Sequence, residues 1–331
     1  MIALPAPTIR IPPGLTPFFR LALGRGGSLD VAPHRPRIMG VVNLTADSFS
    51  DGGEFLDPSR ALAHARRLIA EGADILDLGA ESTRPGGATY GDGAVEVPAE
   101  EEIARLRPLI AAIRRESAIP ISVDTRKATV ARAAFAAGAD ILNDVSALAD
   151  PETAAFAAES DCPVVLMHHR GIFRPASSGV SQLPESSRVV DAVRAGLDSA
   201  LARATAAGCR REQLVLDPGL GFALRGTQNL ELLRDLHELL AFDRPLLVGA
   251  SRKRFLGDIS NIEQASERVP ESLAAAAAAA TQGASFLRVH DVAATKRFLV
   301  AFAAMTPGAA APLPSTPDAG KAAAAGVAGA D

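Results

Sequence analysis

The stretch "RIMGVVNLTADSFSDGG", residues 37–53, runs from a nearly continuous apolar segment into a cluster of small polar side chains. Its apolar part lacks the polar alternation of a half-exposed strand, which is typical of a parallel strand buried on both faces. A helical pattern follows at 57–72. Asp57 is its candidate N-cap, Pro58 takes the first helical position, and Gly72 is the stop. The stretch therefore predicts a strand that leads through a polar loop into a helix.

The same order of apolar run, polar cluster and helical pattern recurs along the chain. Further strands are predicted at 73–82, 120–125, 141–146, 163–170, 214–219, 245–251 and 284–291, and clear helical patterns at 125–138, 227–240 and 271–283. Eight strand–helix units in roughly 270 residues favour a single-domain α/β fold, a (β/α)8 TIM barrel. A doubly wound open sheet is the alternative, but eight uninterrupted units fit ring closure better. The barrel is assigned to 37–305, an N-terminal extension to 1–36, and a disordered Ala/Pro/Gly-rich tail to 306–331.

Composition narrows the classes of partner. The 331 residues are 48% hydrophobic and 4% aromatic, contain no Trp, and carry a formal net charge of −4, which argues against a nucleic-acid partner. No apolar run approaches the ~20 residues of a membrane span, and prolines interrupt the place where a secretory signal would have its apolar core. The two cysteines, Cys162 and Cys209, make no disulfide framework and no metal-ligand spacing. A cytoplasmic protein with reduced thiols is expected.

Every predicted strand delivers polar or ionisable groups to its carboxyl end, where the active sites of such barrels lie. These groups are Asn43 and Thr45; Glu81, Ser82, Thr83 and Arg84; Asp124; Asn143 and Asp144; His168 and His169; Asp217; Ser251, Arg252 and Lys253; and Arg288, His290 and Asp291. A buried polar group without a partner costs roughly 1–3 kcal/mol. The pattern therefore predicts either a dense internal network or a polar ligand at one mouth.

Four of these groups have two interpretations. They are Asp124, Asn143, Asp217 and Lys253. They could form a Lys–Asp network that stabilises the barrel. Alternatively, they could line a pocket for a flat heterocycle, because carboxylates accept from amino-pyrimidine N–H groups, Asn donates and accepts, and Lys donates to a carbonyl or ring nitrogen. Lys253 could also be a Schiff-base lysine, although its charged neighbours Arg252 and Arg254 argue against that role.

Arg84, Arg288 and His290 are candidates for binding an anion. Three cationic or donor groups at one barrel mouth are typical of a phosphate or pyrophosphate site, with a satisfied core histidine as the alternative for His290.

A transition-metal site at His168 and His169 is not expected, because adjacent strand residues point to opposite faces. With oxygen ligands dominating, the expected metal is Mg²⁺, held mostly by phosphate oxygens and water with Asn43 as one neutral protein ligand. The sequence contains no Walker-type loop, no GxGxxG after a strand and no Ser-His-Asp elbow motif.

At these residues the sequence resembles the dihydropteroate synthases, the folate-pathway family targeted by sulfonamides. The resemblance covers about 37–304 and rests on these motifs in the family's order: "MGVVNLTADSFSDGG", "DLGAESTRPG", "SVDTRKA", "NDVSAL", "LMHHRG", "LDPGLGF", "GASRKRFLG" and "LRVHDV". It implies that 6-hydroxymethyl-7,8-dihydropterin diphosphate and 4-aminobenzoate condense to 7,8-dihydropteroate and pyrophosphate. It also implies a homodimer.

The resemblance further implies a role for individual residues. The pterin diphosphate would contact Thr83, Arg84, Asp124, Asn143, Met167, Asp217, Phe222, Lys253, Arg288, Val289 and His290, and 4-aminobenzoate would contact Phe49, Pro85, Ser251 and Lys253. Asn43 would bind Mg²⁺, and Arg288, Lys253 and Asn43 would be the catalytic residues. The chemistry expected is a dissociative substitution in which Mg²⁺ and arginines neutralise the leaving diphosphate.

Some positions depart from the family's usual pattern. Ala46 stands where the family usually has Pro, Leu224 and Arg225 where it commonly has Lys and Thr, and Glu271 where Gly is frequent, and the loop after the fifth predicted strand also differs. None of these removes an implied ligand. Two alternatives remain, namely a catalytically silent pterin-binding paralogue and a methyltransferase on the same barrel that uses a methylated folate.

Overall fold

The structure, a computed structural model, describes residues 18–44, 58–81, 97–169, 188–222, 224 and 226–306. The strands are β1 Phe19–Ala22, β2 Ser28–Val31, β3 Arg37–Asn43, β4 Ile75–Gly79, β5 Ile121–Asp124, β6 Ile141–Asp144, β7 Val164–Met167, β8 Leu214–Asp217, β9 Leu247–Val248 and β10 Phe286–Val289. The α-helices are α1 Pro58–Ala70, α2 Ala99–Arg114, α3 Ala128–Ala137, α4 Pro151–Ser160, α5 Val189–Ala206, α6 Gly226–Arg234, α7 Arg254–Ser260, α8 Val269–Thr281 and α9 Val292–Met305.

The strands β3 to β10 form one parallel sheet that closes into a barrel. Neighbouring strands pair in the order β8-β7-β6-β5-β4-β3-β10-β9. A parallel bridge between Leu216 and Leu246 joins the two ends of that order, and the Leu216 N–H donates to the Pro245 carbonyl at 2.9 Å. The (β/α)8 prediction is therefore confirmed, all eight predicted strands are present, and the open-sheet alternative is excluded.

Side-chain alternation along the strands separates two apolar layers. One set of strand residues packs outward beneath the helices, for example Leu76, Leu142 and Leu166. The other set fills the barrel interior at its amino end: Met39, Ile75, Ile141, Val165, Val215, Leu247 and Phe286. Two residues further along several strands, the interior positions become polar: Asp77, Asn143, Asp217 and Arg288. The same period-2 pattern thus gives an apolar plug below and a polar chamber above.

A β-hairpin of β1 and β2 covers the amino end of the barrel. Its side chains Phe19, Leu21, Leu29 and Val31 share one apolar cluster with the interior strand residues. The hairpin turn is tied down by Arg25, whose Nε lies 3.0 Å from Oδ1 of Asp140. The sequence prediction treated 1–36 only as an extension and missed this hairpin. Residues 1–17 and 307–331, which hold the rest of that extension and nearly all of the predicted tail, lie outside the described residues.

The predicted helices are present with shifted ends. The first begins at Pro58 as expected and stops before Gly72, whose φ of 93° suits glycine, while Asp57 lies outside the described residues. The pattern at 227–240 was wrong as a single helix, because α6 ends at Arg234 and a 3-10 helix follows at Leu236–Phe242. Its leucines recur every three or four residues, a spacing that fits either helix type. None of the described helices has the length and apolar character needed to cross a bilayer.

Candidate active site

The last interior-facing residues of the strands meet at the carboxyl end of the barrel. Asp124 ends β5 beside Asn143 of β6 in the parallel register, and Met167 of β7 lies beside Asp217 of β8. These side chains are nearly inaccessible to solvent: Asp124 is 8% exposed, Asn143 4% and Asp217 9%. The structure thus brings the sequence-predicted groups together at one mouth.

Arg288 of β10 is the centre of a charged network across this mouth. Its Nε donates to Oδ2 of Asp77 at 2.6 Å, and its Nη2 donates to Oδ2 of Asp124 at 3.0 Å. The amide of Asn143 donates to Oδ1 of Asp77 at 3.3 Å. Burial lowers the pKa of Arg288, but the charges of Asp77 and Asp124 outweigh it and leave that pKa raised. The guanidinium is therefore a permanent cation held at a fixed place.

Asp77 belongs to this network but was missed by the sequence prediction. It lies in the middle of β4 with no exposed surface, and it contacts both Arg288 and Asn143. The prediction considered only residues at strand ends, and Asp77 stands two residues before Gly79, the last residue of β4. Its signal was a single charge inside an apolar run, because such a charge must find a partner inside the barrel.

Lys253, Asp217 and Phe222 occupy the other side of the mouth. The Lys253 ammonium donates to the carbonyl of Leu220 and lies 4.4 Å from the centroid of the Phe222 ring, within cation–π range. Oδ1 of Asp217 accepts from the Gly219 N–H at 2.7 Å, which fixes the carboxylate. The loop after β8 therefore fixes the positions of both the Asp217 carboxylate and the Lys253 ammonium.

The surroundings of the mouth bring the pKa values of two groups close to neutral pH. Burial raises the pKa of Asp124 to about 7, with the Arg288 charge acting against that shift and the Asp77 charge adding to it. Burial lowers the pKa of Lys253 to about 8, while the charge of Asp217 works in the opposite direction. Burial also raises the pKa of Asp217. Perturbed groups of this kind, gathered in one concave site, are typical of a functional centre.

Gly221 leaves the space that the Lys253 side chain needs. Its φ is 79°, and a Cβ placed there would lie 2.7 Å from Cδ of Lys253. If the mouth binds a substrate, we expect Gly221→Ala to raise the KM of that substrate about tenfold, because the displaced Lys253 ammonium loses its alignment. Gly26→Ala is the matched control, since Gly26 has a φ of 90° and no atom within 4 Å of that Cβ. Equal kinetics in the two variants would contradict this role of Gly221.

Ser251 and His290 form a hydrogen-bonded pair at the mouth. The Oγ of Ser251 lies 3.0 Å from Nδ1 of the His290 ring. The backbone N–H of His290 donates to the same oxygen at 3.3 Å. Burial lowers the pKa of His290 to about 3, helped by the nearby charges of Arg288 and Arg252. In this structure His290 is thus a neutral hydrogen-bonding group, which corresponds to the donor rather than the cation in the prediction of a cationic or donor group. Its role as a donor stays a prediction.

Some predicted residues lie away from the mouth. The side chain of Val289 packs in the outer apolar layer, so only its backbone can contribute to the site. His169 faces the carbonyl of Ser146 at 3.2 Å, whereas the ring of His168 packs against Gly196 of α5. The two histidines point apart, as the sequence predicted.

A second charged cluster stands at the carboxyl ends of β4 and β5. The Lys127 ammonium lies 3.2 Å from Oε2 of Glu81 and 2.6 Å from Oε1 of Glu102. Glu81 also accepts from the Val97 N–H at 3.4 Å. The predicted ligands Thr83, Arg84, Pro85 and Phe49 lie outside the described residues, as do Thr45, Ala46 and Arg225.

Two of the departures from the family pattern lie within the described residues. The side chain of Leu224 packs against the main apolar core, and its carbonyl accepts from Nδ2 of Asn229 at 3.3 Å. Glu271 lies in the first turn of α8, where Ser260 Oγ donates to it at 2.5 Å. An acidic side chain is favourable at a helix amino end, so Glu271 is accommodated without disturbing the mouth.

Asn43 is the only protein ligand predicted for a metal. It ends β3 with a half-buried side chain, beside Gly79 of β4 in the register. Across the described ranges, no group of three or more His, Cys, Asp or Glu side chains is arranged to hold a metal ion. A neutral amide oxygen without a carboxylate cluster fits a hard cation whose other ligands come from a substrate and water.

Comparisons with known proteins agree with this geometry. A profile of the family described as pterin binding enzyme matches residues 39–290. A dihydropteroate synthase of Synechocystis sp. is 42% identical over 279 residues, which is 84% of this chain and 93% of that protein. A dihydropteroate synthase of Xanthomonas albilineans, solved with 4-aminobenzoic acid, is 42% identical with a TM-score of 0.77, over 87% of this chain and 98% of that one. The same enzyme in complex with 7,8-dihydropteroate gives 41% and 0.73, over 87% and 99%.

Proposed function

The chain belongs to the dihydropteroate synthases of the pterin-binding enzyme family, and from that premise we propose how its own residues perform the reaction. The substrates are 6-hydroxymethyl-7,8-dihydropterin diphosphate and 4-aminobenzoate, and the products are 7,8-dihydropteroate and pyrophosphate. One observation carries the proposal: interior groups of β5, β6, β8 and β10 converge at the barrel mouth with complementary hydrogen-bonding capacity and little exposure.

The pterin ring is recognised by groups from both sides of the mouth. The carboxylates of Asp124 and Asp217 accept from the amino-pyrimidine N–H groups, and the amide of Asn143 donates and accepts. Lys253 donates to the ring carbonyl or a ring nitrogen, while Met167 and Phe222 supply the apolar walls. Because Asp124, Asn143 and Asp217 are already buried, an analogue that lacked their partners would leave them unpaired and bind far more weakly.

The diphosphate is taken by Arg288, with the His290 ring as a neutral donor. Asp77 holds the guanidinium through Nε, so the second edge of Arg288 can exchange Asp124 for phosphate oxygens when the pterin engages that carboxylate. Arg84 and Thr83 are proposed to join on the diphosphate. Charge-assisted contacts of this kind contribute on the order of 1.5–3 kcal/mol each.

The amide oxygen of Asn43 is proposed to be the group of this chain that would hold Mg²⁺ beside the diphosphate. When bound, the ion supplies neutralisation of charge on the leaving group. The chain contributes one hard oxygen at the end of β3, consistent with the absence of a larger acidic ligand cluster among the described residues. The remaining ligands would therefore come from phosphate oxygens and water.

The reaction is proposed to be a dissociative substitution. The bond between the pterin methylene carbon and the diphosphate oxygen breaks, and its electron pair leaves with the diphosphate. The amine nitrogen of 4-aminobenzoate, framed by Ser251, Lys253, Phe49 and Pro85, then bonds to that carbon and releases its proton to water. Arg288 stabilises the growing negative charge, and the remaining contribution of the chain is positioning.

The two cysteines do not supply a nucleophile. Cys162 and Cys209 are free and buried, and burial raises the pKa of the Cys162 thiol to about 12. Cys162 precedes β7 and so lies toward the amino end of the barrel, away from the mouth. Unpaired thiols also support the proposal of a cytoplasmic location.

The pH dependence follows from Asp124 and Lys253. Below the Asp124 pKa of about 7 the carboxyl is protonated and accepts the pterin N–H groups poorly, and above the Lys253 pKa of about 8 the ammonium is lost. We expect kcat/KM for the pterin diphosphate to be bell-shaped, with its maximum between those values. Asp124→Asn should remove the acid limb, which separates it from titration of the diphosphate itself. A profile that is flat from about pH 6 to 9 would contradict the assignment.

Steady-state turnover with both substrates tests the proposed function. The proposal expects release of one pyrophosphate for each dihydropteroate formed. A silent paralogue would bind the pterin without turnover, and a methyltransferase would require a methylated folate. Absence of pyrophosphate release at saturating concentrations of both substrates would overturn the proposal.

We also propose a homodimer through the outer faces of α7 to α9. These helices pack in sequence, and they expose Ile259, Val300 and Met305 by 58%, 51% and 75%. On α9 the rings of Phe298 and Phe302 stack 6.0 Å apart. Large apolar side chains exposed on neighbouring helices support a subunit interface on this side of the barrel. Light scattering decides between monomer and dimer mass, and Val300→Arg should favour the monomer.

A further inference from the structure

The loop after β9 contains a residue in a left-handed backbone conformation at the edge of the site. Arg252 has a φ of 59°, although it is not glycine, and it stands between Ser251 and Lys253. Residues other than glycine adopt this backbone conformation only when surrounding contacts offset its cost in free energy. Such positions cluster at functional sites, so the contacts that hold Arg252 need an explanation.

Both backbone polar groups of Arg252 are held by side chains from the beginning of α8. The Arg252 N–H donates to Oγ of Ser272 at 2.9 Å, and Nη1 of Arg268 donates to the Arg252 carbonyl at 3.0 Å. The Arg252 guanidinium is fixed as well, because its Nε lies 2.9 Å from Oδ2 of Asp291. Residue 252 is therefore restrained at three points.

Arg268 is itself rigid. It is 7% exposed, and its Nε donates to the carbonyl of Ile262 at 2.9 Å while Nη2 donates to the carbonyl of Glu263. A Cβ on Gly257 would lie 2.4 Å from the Arg268 Nε, so the guanidinium packs directly against that glycine. A planar group that joins three carbonyls holds their relative positions in a way that lysine cannot.

The restraint acts on two proposed substrate ligands. Ser251 and Lys253 flank residue 252, and the Lys253 backbone N–H donates to the Ala250 carbonyl at 3.2 Å, so the left-handed residue lies inside a turn. With that turn, Ser251 Oγ reaches Nδ1 of His290, and the Lys253 side chain passes Gly221 to reach Phe222. A relaxed backbone at residue 252 would redirect both side chains.

We propose that Arg268 and Ser272 are positioning residues for the 4-aminobenzoate end of the site. They hold Arg252 in the left-handed conformation and thereby aim Ser251 and Lys253 into the barrel mouth, without touching substrate themselves. The inference rests on the proposed roles of Ser251 and Lys253. It adds to them a support built from α8, the alanine-rich helix outside the barrel.

Arg268 and Ser272, which hold residue 252, are called the clamp below. The first test removes one hydroxyl group of the clamp. Ser272→Ala removes the acceptor of the Arg252 N–H and should raise the KM for 4-aminobenzoate about tenfold, with a smaller change in kcat. Thr281→Ala is the matched control, because Thr281 lies on the same helix and its hydroxyl donates only to the Ala278 carbonyl at 2.9 Å. We expect both variants to lose similar thermal stability and only Ser272→Ala to change KM.

The second test compares buried arginines. Arg268→Lys should raise the same KM, whereas Arg244→Lys should not, although Arg244 is 8% exposed and donates to the Arg211 carbonyl at 2.7 Å. Arg244 precedes β9, at the amino end of the barrel. If Arg268→Lys does not fold, Ser272→Ala alone decides.

The third test uses glycine at position 252 as a rescue. Glycine adopts positive φ without cost, so in an Arg252→Gly background Ser272→Ala should change KM less than twofold. A tenfold effect in both backgrounds, or none in the wild-type background, would overturn the clamp. Loss of turnover in Lys253→Met with normal KM in Ser272→Ala would overturn the clamp alone. Normal kinetics in Ser251→Ala and Lys253→Met would overturn the proposed site together with the clamp.

Discussion

Arg288→Ala is expected to lower turnover by roughly 10²–10³-fold, because the variant removes the central cation that stabilises the leaving diphosphate. The effect should fall on kcat as well as on kcat/KM, since the interaction strengthens as the C–O bond breaks. Steady-state rates of pyrophosphate release measure both constants. A variant with a near-normal rate would contradict the role assigned to Arg288.

The same variant should also lose stability. It leaves Asp77 and Asp124 facing each other without the guanidinium that lies 2.6 and 3.0 Å from their oxygens. Breaking a buried pair in this way costs about 3–5 kcal/mol, but proton uptake by Asp124, whose pKa is already about 7, should reduce that cost. Stability and turnover therefore have to be measured separately.

Arg37→Ala is the matched control for that stability loss. Arg37 is even less exposed than Arg288, with 5% against 22% of its side chain accessible, and it pairs with Asp74 at 3.3 Å, but it begins β3 at the amino end of the barrel. We expect Arg37→Ala to lower the free energy of unfolding while the folded fraction keeps its turnover number. Loss of turnover in both variants to the same extent would mean that the effect of Arg288→Ala is only structural.

Lys253→Met is expected to lower kcat/KM for both substrates by roughly 10²-fold, because a buried donor that orients the pterin and frames 4-aminobenzoate is replaced by a side chain of similar volume without a charge. The fold should not suffer in parallel. Burial already lowers the pKa of Lys253 to about 8 and raises that of Asp217, so Asp217 can take up a proton when the lysine charge is removed, which limits the loss of stability.

Lys296→Met supplies the comparison for Lys253→Met. Lys296 lies on α9, and its ammonium donates to the Gly72 carbonyl at 3.0 Å, away from the mouth. We expect the Lys296→Met variant to have a slightly changed melting temperature and unchanged kinetic constants. Unchanged kcat/KM in Lys253→Met, measured beside this control, would remove Lys253 from the site.

Sequence patterns predicted the barrel because each of its strands coincides with a recognisable apolar run. Every predicted apolar run became a strand, including the two-residue β9, whose neighbour Leu246 still bridges to Leu216. The hairpin β1–β2 was missed because its strands are four residues each, too short for alternation to be distinguished from chance. Its position depends on burial against the barrel interior, which no local pattern encodes.

The site was predicted only in part, because the sequence locates the ends of strands but not the pairing between them. Residues at strand ends could be assigned to one mouth from the fold class alone, which located Asp124, Asn143 and Asp217. Asp77 was missed because only the register between β4 and β5 places it beneath Asp124. The neutral state of His290 likewise depends on burial and on the nearby Arg288 and Arg252 charges, which arise only in the folded chain.

Calorimetric titration with the pterin diphosphate, with and without Mg²⁺, tests the central claim most directly. We expect one pterin diphosphate to bind per chain, more tightly with Mg²⁺, and Asp217→Ala to weaken binding by about 100-fold or more because the amino-pyrimidine loses its acceptor. Binding of equal strength in the wild type and in Asp217→Ala, or no binding to the wild type under either condition, would contradict the claim that the barrel mouth is a pterin diphosphate site.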